Sequence, residues 1–500
     1  MINLVDLVEN ELKEQEKFSV SENGSVGYKS SGSRLVDLNF RVSSFRNCSD
    51  EEIAMAFYHA YLEDKVYALK WLFFARDIRE GLGERRLFRV CYDFLIERDL
   101  KAACLNLELI PEFGRWDDLV YLLGINDFVD EKIIDIIQTR LDEDLICLKA
   151  GEPVSLLGKW LPSENASSKK TKSLAKKVRK MLGMSSKEYR LLLSKLRKHS
   201  NVVEVKMCNN DWESINYENV PSLANLQYKN AFLKHDTDRR KEYLNSVTTG
   251  KSKINMKVAT PVDIIAKYKK YDETLEIAWK NLKNIKIKDT LVVADGSGSM
   301  LATCGTGGRV RALDVANALA IYTSENNSNI YKDKYITFSK NPQFVDFSNE
   351  KTLFDKIRYA RSFNEISNTN IQAVFQLILE TAIKHKVPKN EMIKNILIIS
   401  DMEFDTAQTY GFNQNTILNK PLFKEIEYVF NKAGYDLPKL IFWNVNSRTN
   451  VIPIKENNMG VTLISGFSQN VLKMVMSEKY NPYDILIETL DKERYNCIKS

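Results

Sequence analysis

The stretch Thr290-Leu291-Val292-Val293-Ala294-Asp295-Gly296-Ser297-Gly298-Ser299 decides how the chain is read. An apolar run of strand length ends abruptly on a carboxylate, two glycines and two hydroxyls. The run predicts a buried strand, and the glycines permit the tight turn that follows it. The D-x-S-x-S spacing then puts one carboxylate and two hydroxyls on a single turn. Three hard oxygen donors at a strand end suit one divalent cation, Mg2+ first and Mn2+ second, because such ions favour oxygen ligands and keep some of their water.

Working outward, short apolar runs recur at 335–338, 395–400, 439–445 and 461–464. Helical periodicity fills the intervals at 310–323, 351–361, 370–384, 421–433 and 468–476. Strands alternating with helices predict a mostly parallel sheet covered on both faces, with ligands beyond the strand C-termini where strand order reverses. Two further segments fall on that edge: Asn368-Thr369-Asn370, just before a helix, and Ile399-Ser400-Asp401, at the end of a strand. Rival chemistries fit less well. A dinucleotide loop needs a third glycine where Leu301 stands, an aspartyl-phosphate route needs an aspartate where Val293 stands, and a hydrolase elbow needs G-x-S-x-G. A plain strand-to-helix turn without a metal is the bland alternative.

These three segments, in this order, resemble the von Willebrand factor A domain over roughly 286–480. The resemblance implies a doubly wound domain whose Asp295, Ser297, Ser299, Thr369 and Asp401 hold one cation in a metal-ion-dependent adhesion site. It also implies an open coordination position for the acidic group of a protein partner, and it does not imply catalysis. No nucleophile–base pair stands out in the sequence either, so the chain is not expected to be an enzyme. Cleavage of RNA through the ion is a weak third reading, because no general base is evident. The insert 301–308 departs from the family pattern, and its glycines suggest a mobile flap.

From 49 to about 285 the texture is helical. Ser49 with Glu52 forms a capping box at the start, and helical stretches are expected at 84–98, 116–122, 130–148, 185–199, 222–234, 238–247 and 261–280. Many helices without strands predict a bundle or a solenoid. Arginines and aspartates interleave at 75–86 and 111–119, where buried ion pairs would lock turns between helices. Nucleic-acid contact by Arg79, Arg85 and Arg86 is the other reading. With Lys159-Trp160-Leu161-Pro162, Tyr189-Arg190 and Lys195-Leu196-Arg197, these stretches resemble an uncharacterised family of eukaryotes and large viruses that joins a helical region to a C-terminal von Willebrand A domain. The layout is similar to the Ro autoantigen, or TROVE, architecture. That likeness implies HEAT-like repeats able to close into a ring, and binding of structured RNA.

Between 169 and 198 the chain carries twelve Lys/Arg against one acid, Glu188, while the whole chain has a net charge of only +6. The candidate RNA contacts are Lys169, Lys170, Lys172, Lys176, Lys177, Arg179, Lys180, Lys187, Arg190, Arg197 and Lys198. After a second capping box at Ser185 and Glu188, Lys187, Arg190, Arg197 and Lys198 share one helix face, and Tyr189, Leu192, Leu193 and Leu196 lie opposite. Such a face would attract phosphates by counterion release, with little sequence preference. A merely solvated face, and a protein or lipid partner, are the rival readings. A metal-dependent adaptor without RNA binding is the alternative function.

Composition bounds the rest. At 500 residues, 44% hydrophobic and 28% charged, the chain is globular and long enough for several domains. No apolar window of membrane length appears, so no membrane partner is expected. The start, residues 1–17, is acidic and amphipathic, and is not a signal peptide. Seven scattered cysteines and four histidines offer no CxxC pair and no zinc spacing, so a reduced, cytoplasmic protein is expected. The expected divisions are an N-terminal arm at 1–48, a helical start and an extended stretch with a flexible loop at 21–34, expected to pack on something else rather than fold alone; a helical domain at 49–285; the A-like domain at 286–480; and a C-terminal helix at 481–500.

Overall fold

A computed structural model describes residues 16–200, 202–304, 310–406 and 421–500. The architecture is α plus α/β: a helical region and a mixed sheet flanked by helices. The chain forms two compact units, and they divide it elsewhere than the sequence texture does. One unit takes residues 1–68 and 259–492; the other takes 69–258 and 493–500.

In the first unit, β1 (Phe18–Val20) and β2 (Val26–Tyr28) pair antiparallel. They form a hairpin where the sequence suggests only a loose loop. The main sheet has β3 (Thr290–Asp295), β4 (Lys334–Phe338), β5 (Pro342–Asp346), β6 (Asn395–Ser400), β7 (Lys439–Asn444) and β8 (Val461–Ser465). Their spatial order is β5-β4-β3-β6-β7-β8, and only the edge pair β4–β5 is antiparallel. Every residue of β3, β7 and β8 is buried, the signature of strands covered on both faces. The Ala312–Glu325 helix is buried along almost its whole length, as its Ala-rich sequence allows.

Strand order runs outward from β3 on one side and from β6 on the other. The C-terminal ends of these neighbouring strands therefore flank the topological switch point. Five strands stand where their apolar runs predict. The edge strand β5 lacks such a run, and its half-exposed Pro-Gln-Phe-Val-Asp sequence explains why it carries no signal.

Residues 34–46, the last part of the expected arm, pack into this same unit. Leu35, Val36, Leu38, Phe40 and Phe45 are buried. The Ser43 amide donates to Ser465 Oγ at 2.9 Å, and Asn444 Nδ2 donates to the Phe40 carbonyl at 2.8 Å.

The helical unit includes the Arg85–Arg98, Asp127–Ala150, Ser186–His199, Ser222–His235 and Thr237–Thr248 helices close to their expected bounds. The capping boxes at Ser49 and Ser185 are both present. A helix at Lys169–Met181 was hidden by its density of lysines. The stretch expected as one helix at 261–280 is two, Pro261–Ile265 and Glu273–Lys280. The interleaved arginines and aspartates do form a buried network. Arg76 Nη2 lies 2.6 Å and Arg89 Nη2 2.8 Å from the carboxylate of the buried Asp118. The last helix ends at Leu490. Beyond it Arg494 pairs with Asp77 at 2.5 Å, and the Lys499 amide donates to Asn106 at 2.8 Å.

Candidate metal centre and basic face

At the end of β3 the chain turns as D-x-S-x-S requires. The Ser297 amide donates to Asp295 Oδ1 at 2.9 Å, and Ser400 Oγ, at the end of β6, donates to Asp295 Oδ2 at 2.6 Å. Gly296 is needed because a Cβ there would come within 2.9 Å of Thr337 Oγ1. The Gly298 amide donates to the Ser367 carbonyl at 3.0 Å, which draws the 363–369 loop over the turn.

Four of the five expected ligand residues meet directly. Ser297 Oγ and Ser299 Oγ are 3.0 Å apart. The Ser299 hydroxyl lies near enough to Asp401 to oppose the rise of its carboxyl, and Asp401 feels the charge of Asp295. Thr369 joins through Asp405: its amide donates to Asp405 Oδ2 at 3.0 Å, and Asp295 feels the Asp405 charge. The buried Met402, next to Asp401, holds a positive φ of 64°, a conformation that bulky side chains seldom adopt and that tends to mark functional sites.

Asp295 is 1% exposed and Asp401 fully buried. Burial raises both carboxyls above the ordinary carboxylate range. Hydrogen bonds from Ser297 and Ser400 oppose the rise at Asp295, and repulsion from Asp295 adds to it at Asp401. Two buried acids facing each other, ringed by hydroxyls, favour either a proton or a cation. The donors are all hard oxygens, so they fit Mg2+ or Mn2+. Among the described residues no cluster of three or more His, Cys, Asp and Glu side chains could hold a metal. A cation here would therefore depend on the serine and threonine hydroxyls as well.

Several residues at the site carry no sequence signal. Arg448 Nη1 lies 3.2 Å from Asp401 Oδ2. The buried Glu403 carboxylate accepts from the amides of Glu22, Arg448 and Thr449 at 2.8, 2.7 and 3.0 Å. Asn23, on the β1–β2 turn, donates to Thr369 Oγ1 at 3.1 Å and to the Glu403 carbonyl at 2.6 Å. The alternating acids Asp401, Glu403 and Asp405 could have drawn notice, but Asn23 lies more than 340 positions from Thr369. Of the insert at 301–308, residues 305–308 lie outside the described residues, and with them its three glycines.

In the helical unit the eleven candidate RNA contacts separate. Lys177 pairs with Asp130 at 2.5 Å, and Arg179 pairs with Glu164 at 2.9 Å. The Arg197 guanidinium donates to the carbonyls of Gly158 and Leu161, both at 2.8 Å, and to Ser163 Oγ at 2.7 Å. These three tie helices and loops together. Lys169, Lys170, Lys172, Lys176, Lys180, Lys187, Arg190 and Lys198 are exposed. Tyr189, Leu193 and Leu196 are buried on the opposite face.

Fold and site together define a two-part protein, a helical region joined to an α/β domain with an acid–hydroxyl centre at its switch point. A family model described as "Domain of unknown function (DUF2828)" matches residues 21–133 and 128–295, more than half of the chain. The chain belongs to this family. A second model, "Domain of unknown function (DUF7788)", matches residues 289–494 and so spans the main sheet. A relative, "Uncharacterized protein L728" of Acanthamoeba polyphaga mimivirus, is 29% identical over 95% of this chain and 87% of its own length. The expected likeness to an uncharacterised family of large viruses is met at this level. Among the described residues no helix is long and apolar enough to cross a membrane.

Proposed function

We propose that the α/β domain is a von Willebrand A-like binding module, in which Asp295, Ser297, Ser299, Thr369 and Asp401 hold one Mg2+ or Mn2+. Bound there, the cation would leave a position open to the acidic group of a protein partner. The observation that carries this reading is the meeting of two buried carboxylates with the hydroxyls of Ser297 and Ser299 at the β3–β6 switch point. An ion that binds only the folded state raises stability by about 2.7 kcal/mol at a hundred times its Kd. Thermal unfolding with and without Mn2+ should therefore show a clear rise in Tm for the wild type and none for Asp295→Ala. A variant that keeps the full rise would refute the site.

The exposed lysines favour a second activity, binding of structured RNA by the helical region in the manner of Ro-like proteins. Eight exposed cations on two successive helices support it. Charge reversal at Lys172, Lys176, Lys180, Lys187 and Arg190 spares the three internal pairs. It should weaken RNA binding and flatten its dependence on salt, since each phosphate contact contributes about 0.7–0.9 to the logarithmic slope. An unchanged slope would remove the RNA reading and leave the adaptor reading alone. No catalytic role is proposed.

A further inference from the structure

The hairpin tip and the acid–hydroxyl centre share one guanidinium. Arg448 Nη1 lies 3.2 Å from the buried Asp401, and Arg448 Nη2 lies 2.5 Å from the exposed Glu22 carboxylate. Glu22 sits on the β1–β2 turn, which is fastened to the loop after β6 by other bonds. The Glu22 amide donates to Glu403 Oε2 at 2.8 Å, Asn23 Nδ2 donates to the Glu403 carbonyl and to Thr369 Oγ1, and Gly24 bridges Asp405.

We propose that Arg448 is a built-in competitor of the cation at Asp401, and that Glu22 on the hairpin tip sets how strongly it competes. The proposal rests on the cation reading above. A guanidinium carries five donors in a planar fork, so it can serve both carboxylates at once. Without a cation, Arg448 supplies the counter-charge that a fully buried Asp401 requires. A divalent cation at Asp401 would bring like charges together, leaving Glu22 as the partner that stabilises the displaced guanidinium. A docked hairpin thus offers the displaced guanidinium a partner and favours the cation. By reciprocity of linked equilibria, the cation must favour hairpin docking to the same degree. The backbone at Arg448 is held separately, its amide donating to Glu403 Oε1 at 2.7 Å, so the guanidinium can be changed without releasing the loop.

The experiment uses the full chain, with Mn2+ alone as probe and affinity read by electron paramagnetic resonance or calorimetry. Arg448→Gln should tighten Mn2+ binding and Glu22→Gln should weaken it, each by about fivefold or more, the lower end of common coupling strengths. The double variant should match Arg448→Gln, because Glu22 acts only through the guanidinium. Amide exchange across residues 18–28 should slow on Mn2+ addition in the wild type and not in Arg448→Gln. Shifts in the same direction, no shifts, or an additive double variant would each overturn the coupling. Arg448→Lys keeps a charge and should fall between wild type and Arg448→Gln. If Arg448→Gln does not fold, Glu22→Gln and Arg448→Lys decide the sign. Failure of wild-type protein to bind Mn2+ would remove the cation site together with the proposal. Normal wild-type binding with unmoved variants would remove the coupling only.

Discussion

At the scale of residues, the centre turns on two acids held above the usual carboxylate range by burial, with repulsion from Asp405 adding at Asp295 and repulsion from Asp295 adding at Asp401. An acid whose folded value is raised binds more protons folded than unfolded, so stability falls as pH rises through the interval. That cost is absent below the ordinary carboxylate value of about 4 and fully present once pH exceeds the raised folded values. A bound cation replaces the missing protons and removes the cost. The Mn2+-induced rise in Tm should therefore be small near pH 4.5 and grow steadily toward pH 7.5. A pH-independent rise in calorimetric scans would count against cation binding by these carboxylates. Asp295, Ser297 and Ser299 were legible in the sequence because they alternate along one short turn, and Asp401 because it ends an apolar run. Arg448, Glu403 and Asn23 were not, since a salt bridge or a side-chain hydrogen bond leaves no periodicity for a sequence to display.

At the scale of elements, the basic Ser186–His199 helix rests on the short Leu157–Trp160 helix. The contact is close: a Cβ at Gly158 would lie 2.7 Å from Leu196 Cβ. Arg197 tightens the same seam by donating to the Gly158 carbonyl. Gly158→Ala should cost about 1–3 kcal/mol, as overpacking of a well-filled interface does, and lower the urea midpoint accordingly. An unchanged midpoint would mean that the helices separate freely there. The amphipathic pattern of Ser186–His199 was plain because buried Tyr189, Leu193 and Leu196 recur at helical spacing. The Lys169–Met181 helix buries only Ala175 and Val178, too little apolar sequence to reveal its period. The hairpin was missed for a related reason. Its strands have three residues each and owe their place partly to backbone bonds with Phe404 and Ile452.

At the scale of the molecule, each compact unit is discontinuous in sequence. Residues 34–46 belong with the sheet, and residues 493–500 return to the helical unit. Among the described residues, a chain starting at residue 49 would lose six buried apolar side chains, Leu35, Val36, Leu38, Phe40, Val42 and Phe45. At about 1.5–3 kcal/mol for each large apolar side chain, the loss is as large as the whole margin of a domain stable by about 5–15 kcal/mol. Such a chain should show no cooperative thermal transition in the α/β unit. A cooperative transition at the wild-type temperature from the shorter chain would contradict this division.

The sequence by itself determined the class of each half, because the periods of apolar residues, 2 or continuous in strands and 3.6 in helices, are local and physical. It also determined the acid–hydroxyl turn after β3, whose chemistry is written in consecutive residues. Tertiary structure alone decided which lysines face outward and which are spent on internal pairs, since either use needs the same side chain at the same helical position. It decided, too, that residues 34–46 complete the sheet unit and residues 493–500 complete the helical one. Burial of Phe40 beside Asn444, or pairing of Arg494 with Asp77, depends on segments some four hundred positions apart. Nothing in the local pattern of either segment names the other.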